Sequence, residues 1–173
     1  MFVRGFIALG SNLGDREAMI DRAVEAMEQS KGLEVIATSS IYETEPVGPP
    51  QPAYLNAVCE VRSAVDALTL LACLHAIERR LGRVRDPSTK NGPRTIDLDL
   101  LMLGDAPHES PELTLPHPRL QQRAFVLVPL LELWPTATLP ESRIPLASHL
   151  SILQGTNRTL GVAMWRARVA TSG

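Results

Sequence analysis

The sequence predicts an α+β fold of element order β-α-β-β-α-β. Segments of period two alternate with segments of helical period from Phe2 to Leu103, and Gly and Pro punctuate the joints. Hydrophobic residues are 45% and charged residues 21%, near the average of globular domains. At 173 residues the chain fits one domain, 1–173, with a core that needs no disulfide or metal staple.

Phe2–Leu9 reads as the first strand, closed by Gly10-Ser11-Asn12. The apolar start is short and has no small-residue cleavage site, so it is expected to be a strand and not a signal peptide. Asp15 to Gln29 reads as a helix, with Ile20, Ala23, Val24 and Met27 on one face. Glu34–Thr44 is rich in β-branched residues and is expected to be one strand. Glu45 to Pro52 holds four prolines in eight residues, so it reads as a stiff loop. Tyr54–Arg62 alternates, with Leu55, Ala57, Cys59 and Val61 on one face and Tyr54, Asn56, Val58 and Glu60 on the other. That pattern is a half-buried strand.

Asp66 can cap a helix running to Leu81, with the stripe Leu70, Leu74, Ile77, Leu81 and Gly82 as its stop. Residues 83–92 read as a polar loop, and Thr95–Leu103 as a strand with Ile96, Leu98, Leu100 and Met102 on its core face. His108 to Pro118 reads as irregular. Arg123–Leu133 is compatible with helix or strand, and Pro129 argues against a long helix. His149–Gly155 and Leu160–Ala167 read as short elements. The order suggests a split βαβ, ferredoxin-like sheet with both helices on one face and the other face free for a site.

The sharpest chemical feature is Gly92-Pro93-Arg94-Thr95-Ile96-Asp97-Leu98-Asp99. Strand alternation puts Asp97 and Asp99 on one face, roughly 7 Å apart along the backbone. Two such carboxylates can bind a hard cation together with phosphate oxygens. Taken alone, the pattern is better read as a solvated strand face, since alternation with charges outward is common. A set of cations, Arg83, Arg85, Arg94, His117, Arg119 and Arg123, could serve a polyphosphate, since arginine forks match phosphate oxygens. Scattered surface arginines are the alternative, and for Arg79 and Arg80 the preferred one. Tyr54 and Asn56 share a strand face and could line a pocket for a flat heteroaromatic ring. The chain has no Gly-x-x-x-x-Gly-Lys-Ser/Thr loop, no Gly-x-Ser-x-Gly and no zinc spacing. Cys59 and Cys73 lie in apolar stretches and read as reduced core thiols.

Together these pieces resemble the 6-hydroxymethyl-7,8-dihydropterin pyrophosphokinase family from about Phe6 to Pro135. The resemblance rests on Ala8–Gly14, Tyr42–Gly48, Tyr54–Ala57, Gly82–Arg85, Gly92–Asp99 and Leu115–Pro118. It implies a ferredoxin-like enzyme that moves pyrophosphate from ATP to the pterin, releasing AMP, in folate biosynthesis. It implies two magnesium ions at Asp97 and Asp99, and catalytic roles for Arg83, Arg94, Asp97 and Asp99. It places the pterin against Thr44, Val47, Tyr54, Asn56 and Phe125. It places ATP against Leu71, His75, Glu78, Arg83, Arg85, Arg94, Leu100, Leu113, Thr114, His117 and Arg123. Three positions depart from the family pattern: Lys90 and Asn91 stand where a loop aromatic is expected, Asp86 where one member has lysine, and Pro118 where tyrosine follows the histidine.

The rival class is an RNA-binding module of the same fold. That needs sheet aromatics and a basic face, whereas aromatics are 4% and the net charge is −2, so no nucleic-acid partner is expected. A nucleotide sensor of the same fold, binding ATP without turnover, is a second rival. No apolar run is long enough to span a membrane, and a cytoplasmic enzyme follows as the default, with a monomer the simplest state.

Overall fold

The computed structural model describes residues 1–46, 50–84, 92–140, 143–156 and 161–167. Its framework follows the expected order. Strand β1 (Val3–Ser11) leads to helix α1 (Arg16–Glu28), whose first turn is capped by Asp15 accepting from the Ala18 amide at 3.1 Å. Strands β2 (Leu33–Thr38), β3 (Ile41–Thr44) and β4 (Tyr54–Ser63) follow. Helix α2 (Ala67–Arg80) starts on Asp66, which accepts from the Thr69 amide at 2.9 Å, and strand β5 (Asp97–Leu103) completes the unit. Caps of this kind contribute about 1 kcal/mol each. Gly82, at φ +83°, ends the α2 segment where a side chain would be strained.

β1 lies antiparallel between β4 and β5, and both β2 and β3 pair with β4. The arrangement is ferredoxin-like. α1 and α2 cover one face, burying Ile20, Ala23 and Met27 with Leu70, Leu74 and Ile77 against Leu9, Leu55, Ala57, Cys59, Leu98 and Leu100. Full burial of each large aliphatic side chain is worth about 1.5–3 kcal/mol.

Several features differ from the sequence expectation or extend it. The single strand expected over 34–44 is broken at Ser39-Ser40. There Ser39 Oγ accepts from the Val58 amide at 2.9 Å, and Ser40 N and Oγ donate to Glu132 at 3.0 and 2.9 Å. Serine hydroxyls and a distant carboxylate thus replace the ladder bonds at the break. Met102 does not face the α1–α2 core. A bulge opposite Phe6/Ile7 shifts the phase of β5, so Leu101 and Met102 both enter a second core.

That second core covers part of the sheet face opposite α1 and α2, so β4 is buried on both faces for much of its length. It joins Phe6, Val58, Leu101 and Met102 to helices α3 (Ala124–Leu133) and α4 (Leu146–Gly155). α3 is a helix despite Pro129, because burial of Val126, Leu127 and Leu130 outweighs one lost backbone bond. The remainder of this face, at the C-terminal end of β1, is open and carries the site. The stretch expected to be irregular, 108–118, holds a short hairpin, β6 (His108–Glu109) with β7 (Thr114–Leu115). A final strand, β8 (Ala163–Arg166), adds to the free edge of β3.

Candidate active site

The floor of the site is made by what β1 lacks. Gly10 stands in register with Asn56 of β4 on one side and Asp97 of β5 on the other, and Ala8 stands between Val58 and Asp99. A Cβ at Gly10 would come within 3.3 Å of Asn56 Oδ1 and 4.0 Å of Asp97 Cβ. The small residues therefore leave a cleft between a polar strand and an acidic one. One cavity, of about 470 Å³, opens here and is lined by Thr44, Tyr54, Asn56 and Phe125 with Gly10 and Asp97. Of the predicted pterin set, these four line it together; Val47 lies outside the described residues.

Its polar groups are fixed by neighbours. Asn56 Nδ2 donates to Thr44 Oγ1 at 2.7 Å, and both residues are buried. The Tyr54 hydroxyl donates to Gln51 Oε1 at 3.3 Å and reaches the Gly92 carbonyl at 3.4 Å. Burial above all holds the Tyr54 phenol above its ordinary pKa, so it remains a neutral hydroxyl. Arg123 lies over the Phe125 ring, 5.6 Å from its centroid.

A second cavity, of about 510 Å³, lies on the far side of the acidic strand. Leu71, His75 and Leu100 form one wall, Leu113, Thr114 and His117 another, and Arg83, Arg94 and Arg123 supply cations. Every described residue of the predicted ATP set lines this cavity except Glu78. Glu78 is 1% exposed and sits beneath it, accepting from Arg83 Nη1 and, at 2.8 Å, from the Leu98 amide. Its geometry is that of a support for β5 and Arg83. Arg85 lies outside the described residues, as do Asp86, Lys90 and Asn91.

Asp97, Asp99, Arg94, Arg119 and Arg123 line both cavities. Arg83 Nη1 also donates to Asp97 Oδ1, Arg94 Nη1 donates to Asp97 Oδ2 at 2.9 Å, and Arg123 Nη1 reaches Asp99 Oδ2 at 3.4 Å. The Asp99 carboxyl is pushed up to about 6, by loss of solvent first and then by the charge of Asp97. His117 is pushed down to about 4, by burial and then by Arg123 and Arg119. Its Nδ1 accepts from the Arg119 amide at 3.1 Å, so the neutral ring offers an Nε2–H to the cavity.

The sequence reading did not single out three supports. Asn12, 2% exposed, donates to Gln51 Oε1 at 2.9 Å and the Pro52 carbonyl at 3.1 Å, and accepts from the Arg94 amide at 2.8 Å. It ties the end of β1 to both loops flanking the site. Its signals were its place in the tight turn after an apolar strand and in the Ala8–Gly14 motif, neither of which gave it a role. Glu45 and Gln122 also line the first cavity; Glu45 lies within the Tyr42–Gly48 motif, which gave it no role, and Gln122 carries no sequence signal of its own.

The sequence profile of the 7,8-dihydro-6-hydroxymethylpterin-pyrophosphokinase (HPPK) family matches residues 6–135. The chain belongs to the HPPK family. It is 42% identical over 144 residues to the 2-amino-4-hydroxy-6-hydroxymethyldihydropteridine pyrophosphokinase of Pseudomonas aeruginosa, covering 83% of this chain and 88% of that one. Identity to the Bacillus subtilis protein of the same name is 43% over 129 residues, covering 74% and 76%. The fold matches the Plasmodium falciparum HPPK-DHPS crystal structure with pterin and p-hydroxybenzoate at a TM-score of 0.69 and 15% identity, over 91% of this chain and 43% of that longer chain. As an HPPK, the chain is an ATP-dependent pyrophosphokinase of folate biosynthesis, transferring pyrophosphate to hydroxymethyldihydropterin. Among the described residues, no helix is long and apolar enough to cross a membrane.

Proposed function

We propose that the Tyr54–Asn56 cavity receives the pterin, that the His75–His117 cavity receives ATP, and that Asp97 and Asp99 hold magnesium between them. The observation that carries this reading is that the acidic pair and its arginines line both cavities. A group passing from one ligand to the other must cross that wall.

The donor set fits magnesium. Asp97 and Asp99 are like charges on one strand face, and Asp99 is held well above the ordinary carboxylate range. A divalent cation relieves that repulsion. Among the described residues no group of three or more His, Cys, Asp or Glu could cage a metal, which suits an ion whose remaining ligands are water and phosphate oxygens. Bound there, magnesium would screen the charge of the polyphosphate; two ions are the expectation from the family resemblance.

The chain's own residues do the rest by position and charge. Asn56, both donor and acceptor, reads the pterin edge while Thr44 fixes its amide. Phe125 offers the ring a face. Arg94 and Arg83 stand at Asp97, where the transferred group passes, and can exchange a carboxylate oxygen for a phosphate oxygen without leaving the site. Neutral His117 donates through Nε2 to a phosphate oxygen. The pterin hydroxymethyl oxygen attacks the β-phosphorus of ATP and gives up its proton to solvent, the bond from that phosphorus to the bridging α-phosphate oxygen breaks, and AMP leaves with that oxygen. A monomer working in the cytoplasm belongs to the same reading.

The test is AMP release from ATP and magnesium, with and without 6-hydroxymethyl-7,8-dihydropterin. Pterin-dependent AMP is expected. ATP binding by folded protein without AMP release would leave a nucleotide sensor in its place.

A further inference from the structure

Arg16 lies where the C-terminal strand, helix α1 and the two ends of the proline-rich loop meet, beside the first cavity. This residue opens α1, on the helix-covered side of the sheet, and its Nη1 nitrogen makes two contacts. It donates to Glu43 Oε1 at 2.9 Å and to the Ala53 carbonyl at 2.8 Å. Glu43 and Ala53 stand on either side of the proline-rich loop, each one residue away from a cavity-lining residue, Thr44 and Tyr54 respectively. Arg16 therefore ties both feet of that loop to the helix. Its side chain is 21% exposed, because the Trp165 ring covers the guanidinium at 5.1 Å.

β8 holds Trp165 in place. Its backbone pairs with β3, Glu43 opposite Ala163 and Tyr42 opposite Met164. Trp165 Nε1 donates to Glu17 Oε2 at 2.9 Å, and Arg166 donates to Glu17 and Asp21 of α1 at 2.7 and 2.6 Å. Gly161, at φ +91°, packs on Glu45, and a Cβ there would fall 2.9 Å from Glu45 Cγ. β8 thus straps β3 to α1 over Arg16. These groups form one connected contact set that ends at the cavity wall, where Glu45 is the member that lines the cavity itself; Arg16, Glu17, Asp21 and Trp165 stay outside it.

We infer that Arg16, held under Trp165 by the C-terminal strand, is a positioning residue for the pterin side of the site. Thr44 and Tyr54 are partners at the end of the β3–β4 ladder, and Arg16 holds that ladder end closed by pinning the residues beside them. The inference rests on the assignment of the first cavity to the pterin. An arginine that donates to a carboxylate and a carbonyl at once, with an indole ring over its guanidinium, holds its geometry better than an ion pair between two free side chains.

The experiment compares full-length Arg16→Ala, Arg16→Lys and Trp165→Ala with the parent chain. Arg16→Ala is expected to raise the KM for the pterin about fivefold to tenfold, with kcat within about twofold and the Kd for ATP unchanged. Arg16→Lys should recover most of the loss, since one nitrogen makes both contacts. Trp165→Ala should shift the pterin KM in the same direction by less. Hydrogen exchange at the Tyr54–Asn56 amides should quicken in Arg16→Ala and Trp165→Ala, without any ligand present. An unchanged pterin KM in folded Arg16→Ala overturns the inference, as does an equal loss of ATP affinity. A parent chain that binds ATP but no pterin overturns the cavity assignment and the inference with it. Quickened exchange in that case would show that the pinning itself stands.

Discussion

Glu78 and Asp97 accept from the same nitrogen of Arg83. One is buried at the C-terminal end of α2 and the other faces both cavities, so the arginine carries order from the core into the site. Glu78 also holds the Leu98 amide, at the point where β5 begins. Glu78→Ala is expected to cost about 1.5–3 kcal/mol, the range for hydrogen bonds to charged groups, and to lower kcat because Arg83 loses its fixed anchor. Glu78→Gln, which can still accept from Leu98, should retain more of both. Denaturant midpoints and steady-state rates measure the two effects, and wild-type stability in Glu78→Ala would remove Glu78 from this role.

Asp97→Ala and Asp99→Asn should each abolish most turnover while the fold survives. Their effects on stability separate them. The folded Asp99 carboxyl titrates near 6, above its ordinary value of about 4, so the folded chain holds that proton longer than the unfolded one. Its contribution to stability is therefore present at low pH and lost as pH rises through that window. Asp99→Asn should lack this loss, so its stability relative to the parent should improve between about pH 4 and 6. Denaturant unfolding without magnesium at several pH values tests this, and parallel profiles would contradict the shift. Arg94→Ala should reduce kcat more than ATP affinity; a pure binding defect would count against its role in transfer.

His117 has the opposite sign. Its folded pKa of about 4 lies below the ordinary 6.5, so the unfolded chain binds the proton first as pH falls. Stability from this group is present at neutral pH and lost as pH drops from about 6.5 towards 4. Nitrogen-15 shifts of the imidazole should show a neutral ring protonated on Nε2 at pH 5.5, since Nδ1 accepts from Arg119. A ring already charged at pH 6 would show that the cavity is wetter and the arginines more distant than the geometry implies.

The framework was legible because its signals are local. Asp66 reads as a cap and acts as one, the helix expected from Asp15 is capped by that residue, and the Leu70, Leu74, Ile77 stripe is buried as its spacing requires. The acidic pair was legible because β5 alternates through Asp97, Leu98 and Asp99. The places that departed depend on residues far away in sequence. The break at Ser39-Ser40 needs Glu132, and the phase shift at Met102 needs the opposing Phe6 and Ile7. Glu78 illustrates the same limit within the site. Motif resemblance placed it beside ATP, while its burial and its bonds to Arg83 and Leu98 put it one layer below.

The two cysteines should differ sharply in reactivity. Cys59 is fully buried beside Thr38 Oγ1 at 3.3 Å, and burial pushes its thiol up to about 12, so almost no thiolate exists at neutral pH. Cys73 is partly exposed on α2. Iodoacetamide at pH 8 should modify Cys73 in the native chain and reach Cys59 only on unfolding, as read by mass spectrometry of the digested protein. Equal labelling of both in the folded state would show that the α1–α2 core opens far more readily than its packing implies.

Gly10→Ala tests the cleft itself. The added methyl has room against Tyr54 Cδ1, at 3.8 Å, but comes within 3.3 Å of Asn56 Oδ1. The backbone of Gly10 is not in the left-handed region, so the substitution carries no conformational penalty of that kind. Its cost is steric: Asn56 must move by a few tenths of an ångström, and its bond to Thr44 Oγ1 resists that movement. A crowded core of this kind costs about 1–3 kcal/mol, and here part of that cost falls on the ligand, because the methyl fills the space between Asn56 and Asp97. Pterin affinity should fall by at least tenfold, while ATP affinity, which depends on the other cavity, should stay near that of the parent. Isothermal titration with each ligand separates the two. Equal losses would mean that the methyl had displaced Asp97, the residue that both cavities share, and not Asn56.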